Sequence, residues 1–435
     1  MPTSKMDAKG CWEGLIGLTR SCFAAPSLGI FATILTGWVL APGRRTVTAM
    51  IAVADPEGRR AHDAYHRFFR AGRWSTDAIW KVLVVHAVAT LCPAGTLTLD
   101  VDDTLYKKSG RKVNGAGSFR DAVRSTRNRV VYATGLNLVV VTLRVIPPWG
   151  AMPIGVPVGV RLHRKGGAKT TDLAAEIVTE LASWLPDRHF NLCGDGAYAC
   201  LAGRHLPATT VTSRMRRDAA LYEAAPPKTG KPGRPRQRGS RLDTPTQMAA
   251  KLADADFTPA EVDWRGRPKD LLVWSTPVLW YSIDRHNMVL LVIVRDPTGV
   301  MHDDFFFTTD LDATAAWVAS HYPGRWSIEC VNREAKQCLG AEDPQCWKHL
   351  GPERAASVSL WLYAAVWTWY IPTHGAARSW IPRPWYPKKA TPSFLDALAA
   401  LRRTMWSERI TGLSSSGALD PKILDGMLDV LATAA

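Results

Sequence analysis

The spacing of apolar and polar residues divides the chain into a helical beginning, a strand-rich middle and a helical end. Residues 1–90 read as mostly helical; Ser75 or Thr76 can cap a helix with apolar positions at Ile79, Val82, Leu83, Val84 and Ala87. From Thr96 to Thr104 the period drops to two, with Leu97, Leu99 and Val101 on one side, which predicts a half-buried strand. Two apolar strands follow, about Leu136–Val145 and Met152–Arg161, then a helix at about Thr171–Trp184 and a short strand from Phe190. Further strands are expected near Asp270–Ser275, Met288–Val294 and Asp304–Thr308. The end carries an apolar, tryptophan-rich helix at about Ala355–Tyr370, a helix opened by Thr391-Pro392 and a last one near Ile423–Leu431.

Phe23–Leu40 is apolar enough to raise the question of a membrane span. It holds Pro26, Gly29, Thr33 and Gly37, is at the short edge for a span, and reads as a buried helix or core segment. At 435 residues the chain has room for two or three domains, on a prior of about 150 residues each. Its hydrophobic content of 46% is ample for a core. The charge changes the picture more: Lys+Arg is 54 against Asp+Glu 39, a net +15, which favours a polyanionic partner such as nucleic acid. The eight cysteines show no CxxC pair and no framework spacing, so they read as reduced thiols of a cytoplasmic protein. His62 and His66 have zinc-helix spacing, but Asp63 follows and no third ligand is evident, so a solvated helix face is expected.

The candidate chemistry is acidic and lies at element ends. Asp100, Asp102 and Asp103 crowd the end of the first strand, and like charges so close suggest a site for a cation. Asp102 and Asp103 are both open as the ligand, because one residue of register decides between them. Asp195 lies between two glycines at the end of the Phe190 strand, where the backbone can turn sharply and a ligand can approach. Tyr322, Arg325, Glu329 and Lys336 stand at offsets 0, 3, 7 and 14. On one helix they fall within about 60° of each other, giving a face with a phenol, two cations and one acid. An acid can hold metal there while the cations hold phosphate. Lys107 and Lys108 open a basic, Gly-containing loop beside the first acids. Lys228–Arg238 is too rich in Pro, Gly and charge to pack; its Gly233-Arg234-Pro235 matches the core of an arm that lies in the minor groove, but three residues are a short motif and a plain basic loop that binds phosphate is the favoured reading. Lys231, Arg234 and Arg236 are its candidate DNA contacts.

The spacing Y-(2)-R-(3)-E-(6)-K resembles the YREK signature of bacterial insertion-sequence transposases that carry a DDE triad. Asp102-Asp103-Thr104 resembles the first aspartate motif of that family and Gly194-Asp195-Gly196 the second. The resemblance implies an α/β fold with an RNase H-like core, for which strand-strand-strand-helix-strand is the expected order. The long interval from Asp195 to Glu329 resembles the subgroup with a β-rich insertion, and helical regions flank the core at both ends. The implied division is a DNA-binding region at 1–90, core at 91–200, insertion at 201–320, core again at 321–375, and a C-terminal region at 376–435. The resemblance also implies two Mg²⁺ ions (with Mn²⁺ able to substitute) on Asp102, Asp195 and Glu329, and Tyr322, Arg325 and Lys336 on DNA. Its partners would be the element's terminal inverted repeats and target DNA, handled by a homodimer at the bacterial nucleoid. A related RNase H-like repair nuclease and a domesticated, non-catalytic DNA-binding protein are the alternative readings.

Overall fold

The computed structural model describes residues 8–126, 128–150, 152–227, 236–264, 266–375, 380, 382–413 and 420–434. Five helices come first: α1 (Ala8–Gly17), α2 (Ala25–Leu40), α3 (Val47–Ala54), α4 (His62–Ala71) and α5 (Thr76–Leu91). Ser75 caps α5 by accepting the Ala78 amide, and Thr46 caps α3 in the same way. The apolar Phe23–Leu40 stretch becomes α2, with Pro26 in its first turn, where a missing amide hydrogen costs nothing. It is a core helix: Phe31, Ile34, Leu35 and Trp38 are buried, and the Trp38 indole donates to the Leu339 carbonyl at 2.8 Å. Among the described residues no helix is long and apolar enough to cross a membrane.

The middle of the chain supplies β1 (Leu97–Lys107), β2 (Gly117–Arg120), β3 (Tyr132–Val145), β4 (Ile154–His163), α6 (Thr170–Trp184), β5 (Phe190–Gly194) and β6 (Thr209–Arg214). It continues with α7 (Pro245–Lys251), β7 (Thr258–Asp263), β8 (Pro268–Val278), β9 (Val289–Arg295) and β10 (Asp304–Thr308). The described strands make one ten-stranded mixed sheet, β2-β3-β1-β5-β6-β10-β9-β8-β7, with β4 also paired to β3. The pairs β1–β3 and β3–β4 are antiparallel, whereas β1–β5 and β5–β6 are parallel. β10 joins β6 antiparallel, so β7 to β10 extend the sheet that carries β1 rather than forming one of their own.

The chain closes with α8 (Ala315–His321), a 3-10 turn at Tyr322–Arg325, α9 (Trp326–Gln337), α10 (Gly351–His374), α11 (Phe394–Leu413) and α12 (Pro421–Thr433). The aromatic residues of α10 are core. Trp361 donates to the Ile79 carbonyl at 3.0 Å, and the Trp80 indole donates to Ser357 on α10. Buried Arg354, also on α10, donates to the carbonyls of Gly72 and Trp74, where α4 has ended and left acceptors to satisfy. The first five helices therefore share a hydrophobic core with α10 and the sheet. Gly155 on β4 brings α9 close. A Cβ there would stand 2.8 Å from Val331 Cγ2 and 3.2 Å from the Ser327 carbonyl oxygen, so the helix can lie directly on the strand.

Candidate active site

The parallel pairing of β1 and β5 brings the first two acids near each other. The paired register ends at Asp100 and Cys193; β5 stops at Gly194, and Asp195 opens the turn that follows, close enough to raise the pKa of both Asp102 and Asp103. Side chains alternate along β1, so Asp102 and Asp103 project to opposite faces of it. Gly194 makes the turn into Asp195 feasible, since a Cβ at that position would meet Tyr198 Cβ at 2.6 Å. The Asp195 side chain then accepts the Ala197 amide at 2.9 Å, and its carbonyl accepts the Ser213 hydroxyl at 2.8 Å.

Helix α9 covers the Asp102 side of β1. Arg325, at its start, places Nη1 3.3 Å from Asp102 Oδ2 and Nη2 3.0 Å from Glu329 Oε1. The sequence string therefore folds as a 3-10 turn followed by an α-helix, and the acid and the arginine within it share a face. Tyr322 is buried with its ring 4.7 Å from that of Phe306, and the Arg325 guanidinium lies 6.0 Å from the Tyr322 ring. Lys336 stands further along β1, its ammonium 5.7 Å from the ring centroid of buried Tyr106; burial lowers its pKa.

Burial pushes the Asp102 carboxyl up to about 6; Arg325 opposes the shift, and Asp103 and Asp195 add to it. Asp103 is raised by burial too, with Asp195 contributing. In both, the leading cause is burial, which removes water from around the charged form. Asp100, the third member of the acidic cluster, is different. Fully buried, it accepts both Nε (3.1 Å) and Nη2 of Arg144, and also the Ser327 hydroxyl at 3.0 Å. Arg144 in turn donates to the His321 carbonyl at 2.6 Å. The Asp100–Arg144–Ser327 group thus pins α9 and the end of α8 to the sheet beneath the other acids. Sequence reading saw Asp100 only as one of three acids; nothing in the local pattern named Arg144 as its partner.

The basic residues fare unequally. Lys107 pairs with Asp121 at 2.8 Å, and Lys108 donates to the carbonyls of Glu342 (2.6 Å) and Pro344 (3.3 Å), with its pKa lowered by burial. Both line a cleft of about 360 Å³ with Arg44, Arg111, Lys112 and the half-exposed Trp347. Lys231 and Arg234 lie outside the described residues, and Arg236 is exposed. His62 and His66 rest with ring centroids 4.7 Å apart, and His62 Nε2 is 3.1 Å from the Thr48 hydroxyl.

Asp102 and Asp103 on β1, Asp195 just past β5, and Glu329 joined to Asp102 through Arg325 make a cluster of acids and a guanidinium beside a mixed sheet, groups that suit a phosphodiester substrate. The chain belongs to the DDE superfamily endonuclease family, whose model matches residues 21–270, more than half of the sequence. The match includes Asp102 and Asp195 and ends before Glu329. No curated protein matches the chain. Members of the family cleave DNA with divalent metal ions. The residues present suit such an ion in kind, since carboxylate oxygens are hard donors. Among the described residues no three potential ligands close on one point; the Arg325 guanidinium takes the space between Asp102 and Glu329.

Proposed function

We propose that this protein is a DDE transposase, which cuts DNA at the ends of its own insertion sequence and joins those ends to target DNA. The observation that carries the reading is the Arg325 guanidinium bridging Asp102 and Glu329, two acids distant in sequence, with Asp195 close enough to raise the Asp102 pKa. The strand order β4-β3-β1-β5-β6, with its two antiparallel and two parallel pairs, supports an RNase H-like core. On this view the residues between β6 and α8 are the insertion, and β6 is the last strand of the core.

Asp102, Asp195 and Glu329 would hold the metal, with Asp102 taking the role in preference to Asp103 because it faces α9. Two Mg²⁺ ions, replaceable by Mn²⁺, would activate water or a 3′-hydroxyl and stabilise the leaving oxygen of an in-line displacement. The rest is done by the chain's own groups. Arg325 offers a flat fork of N–H donors to a phosphate arriving at the acids, and its two ion pairs hold that fork in place until then. Lys336 and the Lys107–Lys112 loop extend positive charge along β1, where the DNA backbone would run. Asp100, Arg144 and Ser327 fix the height of α9 over the acids. The partners would be paired terminal inverted repeats and a target, held by a dimer in the DNA complex, in the cytoplasm at the nucleoid.

A two-step assay tests the proposal: Mg²⁺-dependent cleavage of a terminal-repeat duplex, then joining of the product to a plasmid. Cleavage without joining would mean a repair-type nuclease, and binding without cleavage would mean a DNA-binding protein.

A further inference from the structure

The geometry points to a second DNA-binding surface, remote from the acids, built from Arg238, Arg241 and Arg285 stacked on Tyr222 and Tyr281. This inference takes its partner from the function proposed above. The Arg238 guanidinium lies 4.4 Å from the Tyr222 ring centroid and 5.0 Å from that of Tyr281. Arg241 lies 5.2 Å from Tyr222, and Arg285 5.7 Å from Tyr281. The two rings meet edge to face at 6.3 Å. Hydrogen bonds fix the arrangement: Arg241 Nη1 donates to the Tyr222 hydroxyl at 3.2 Å, and the Tyr281 hydroxyl donates to Gln237 at 2.6 Å. Tyr222 is bridged to Leu279 and Arg241 through the backbone, which ties the stack to the end of β8.

Three features make this a surface for a polyanion. All three arginines are exposed, and among the described residues no carboxylate is within ion-pair distance of any of them. Glu223, next to Tyr222 in the chain, turns its carboxylate to the Ser240 amide at 3.3 Å. The ring contacts also restrain the guanidiniums while leaving exposed N–H groups for a ligand, so less side-chain freedom is lost when a phosphate binds. Each ring is attended by two guanidiniums, which leaves neither tyrosine to stack on a base. The partner is therefore a phosphate backbone, most simply that of duplex DNA, and the contact is blind to sequence. β8 is four strands from β5, and its Leu279 end is level with the beginning of β5, so the stack lies about 20 Å sideways from Asp195 and roughly 13 Å back along the strands. It would hold flanking DNA, not the nucleotide being cut.

The test is fluorescence anisotropy of the full-length protein with a labelled random duplex of about 30 bp in EDTA, across a salt series. The triple variant Arg238→Ala/Arg241→Ala/Arg285→Ala should bind at least tenfold more weakly at about 0.1 M salt. Its salt slope should flatten by about 0.9 for each phosphate that the protein no longer neutralises. The corresponding triple lysine variant, which keeps charge but not the flat stacked fork, should fall between. Unchanged affinity and slope in an alanine variant that melts like the parent would overturn the inference. So would loss of binding to single strands with duplex binding intact. If the triple alanine variant does not fold, the single Arg285→Glu variant decides, and undiminished binding there refutes the surface. No metal, element end or cleavage enters this assay, so its outcome is independent of whether transposition is found.

Discussion

Asp102 and Arg325 form an ion pair with Nη1 3.3 Å from Oδ2, although 223 residues separate them in the chain. The pair marks where the turn leading into α9 meets the middle of β1, so the acids expected at a strand end lie within the strand. It also puts the only cation in ion-pair contact with Asp102 among the described residues one turn before Glu329.

Asp102→Ala, Asp195→Ala and Glu329→Ala should each reduce Mg²⁺-dependent cleavage by about 10²-fold or more while leaving DNA affinity largely intact. Asp103→Ala should retain much more activity, because its side chain belongs to the other face of β1. Initial rates on a terminal-repeat duplex, with anisotropy for binding, check this. Near-normal cleavage by the Asp102 variant would move the role to Asp103.

Asp100→Ala should also be inactive, but for a different reason. Removing it strands the Arg144 charge in the core, which typically costs about 3–5 kcal/mol. Its melting temperature should fall steeply, whereas that of the Asp102 variant should not. If Asp100→Ala melts like the parent, the proposed anchoring of α9 is wrong.

Asp102 predicts a pH dependence. Its folded pKa, about 6, is above the ordinary value of 3.8, mainly through burial. A carboxyl that holds its proton more tightly when folded favours the fold at low pH. That contribution is full below about pH 4 and lost as pH rises through 6. At pH 7 the burden is on the order of 1–3 kcal/mol. Asp102→Asn should therefore raise the melting temperature at pH 7 and do so less at pH 5. Mg²⁺ should stabilise the parent at pH 7 but not this variant. A stabilisation by Asp102→Asn that is equal at both pH values would show that Asp102 is not strained by burial.

Arg325→Lys should lose most strand transfer, since an ammonium cannot span Asp102 and Glu329 as the guanidinium does or grip phosphate with a fork. The fold should hold, with melting lowered by no more than a few degrees. A large fall in melting temperature with unchanged end affinity per folded molecule would assign Arg325 to structure.

Much of this was legible because strands and helices with one apolar side announce their period. β1, β3, β4, α6 and α10 were all expected near where they lie. β6 was not, and its composition explains why. Thr209–Arg214 is polar yet central, because Asn191 donates to Thr210 and Thr212, and Thr212 bonds Thr308 at 3.2 Å. A strand that buries hydroxyls against hydroxyls shows no hydrophobic alternation. Nor could the sequence choose between Asp102 and Asp103, since that depends on which face of β1 receives α9. Gly155, which admits the helix there, looked like any other glycine in a strand.

The hydrogen bonds from β6 to β10 have a mechanical consequence. No flexible joint separates the strands that carry Asp102 and Asp195 from those that reach the tyrosine–arginine stack at β8. A double helix gripped at that stack would reach the acids at a fixed offset, as against the stop of a carpenter's gauge. Inserting a strand between β6 and β10 in the sheet would shift where the cut falls.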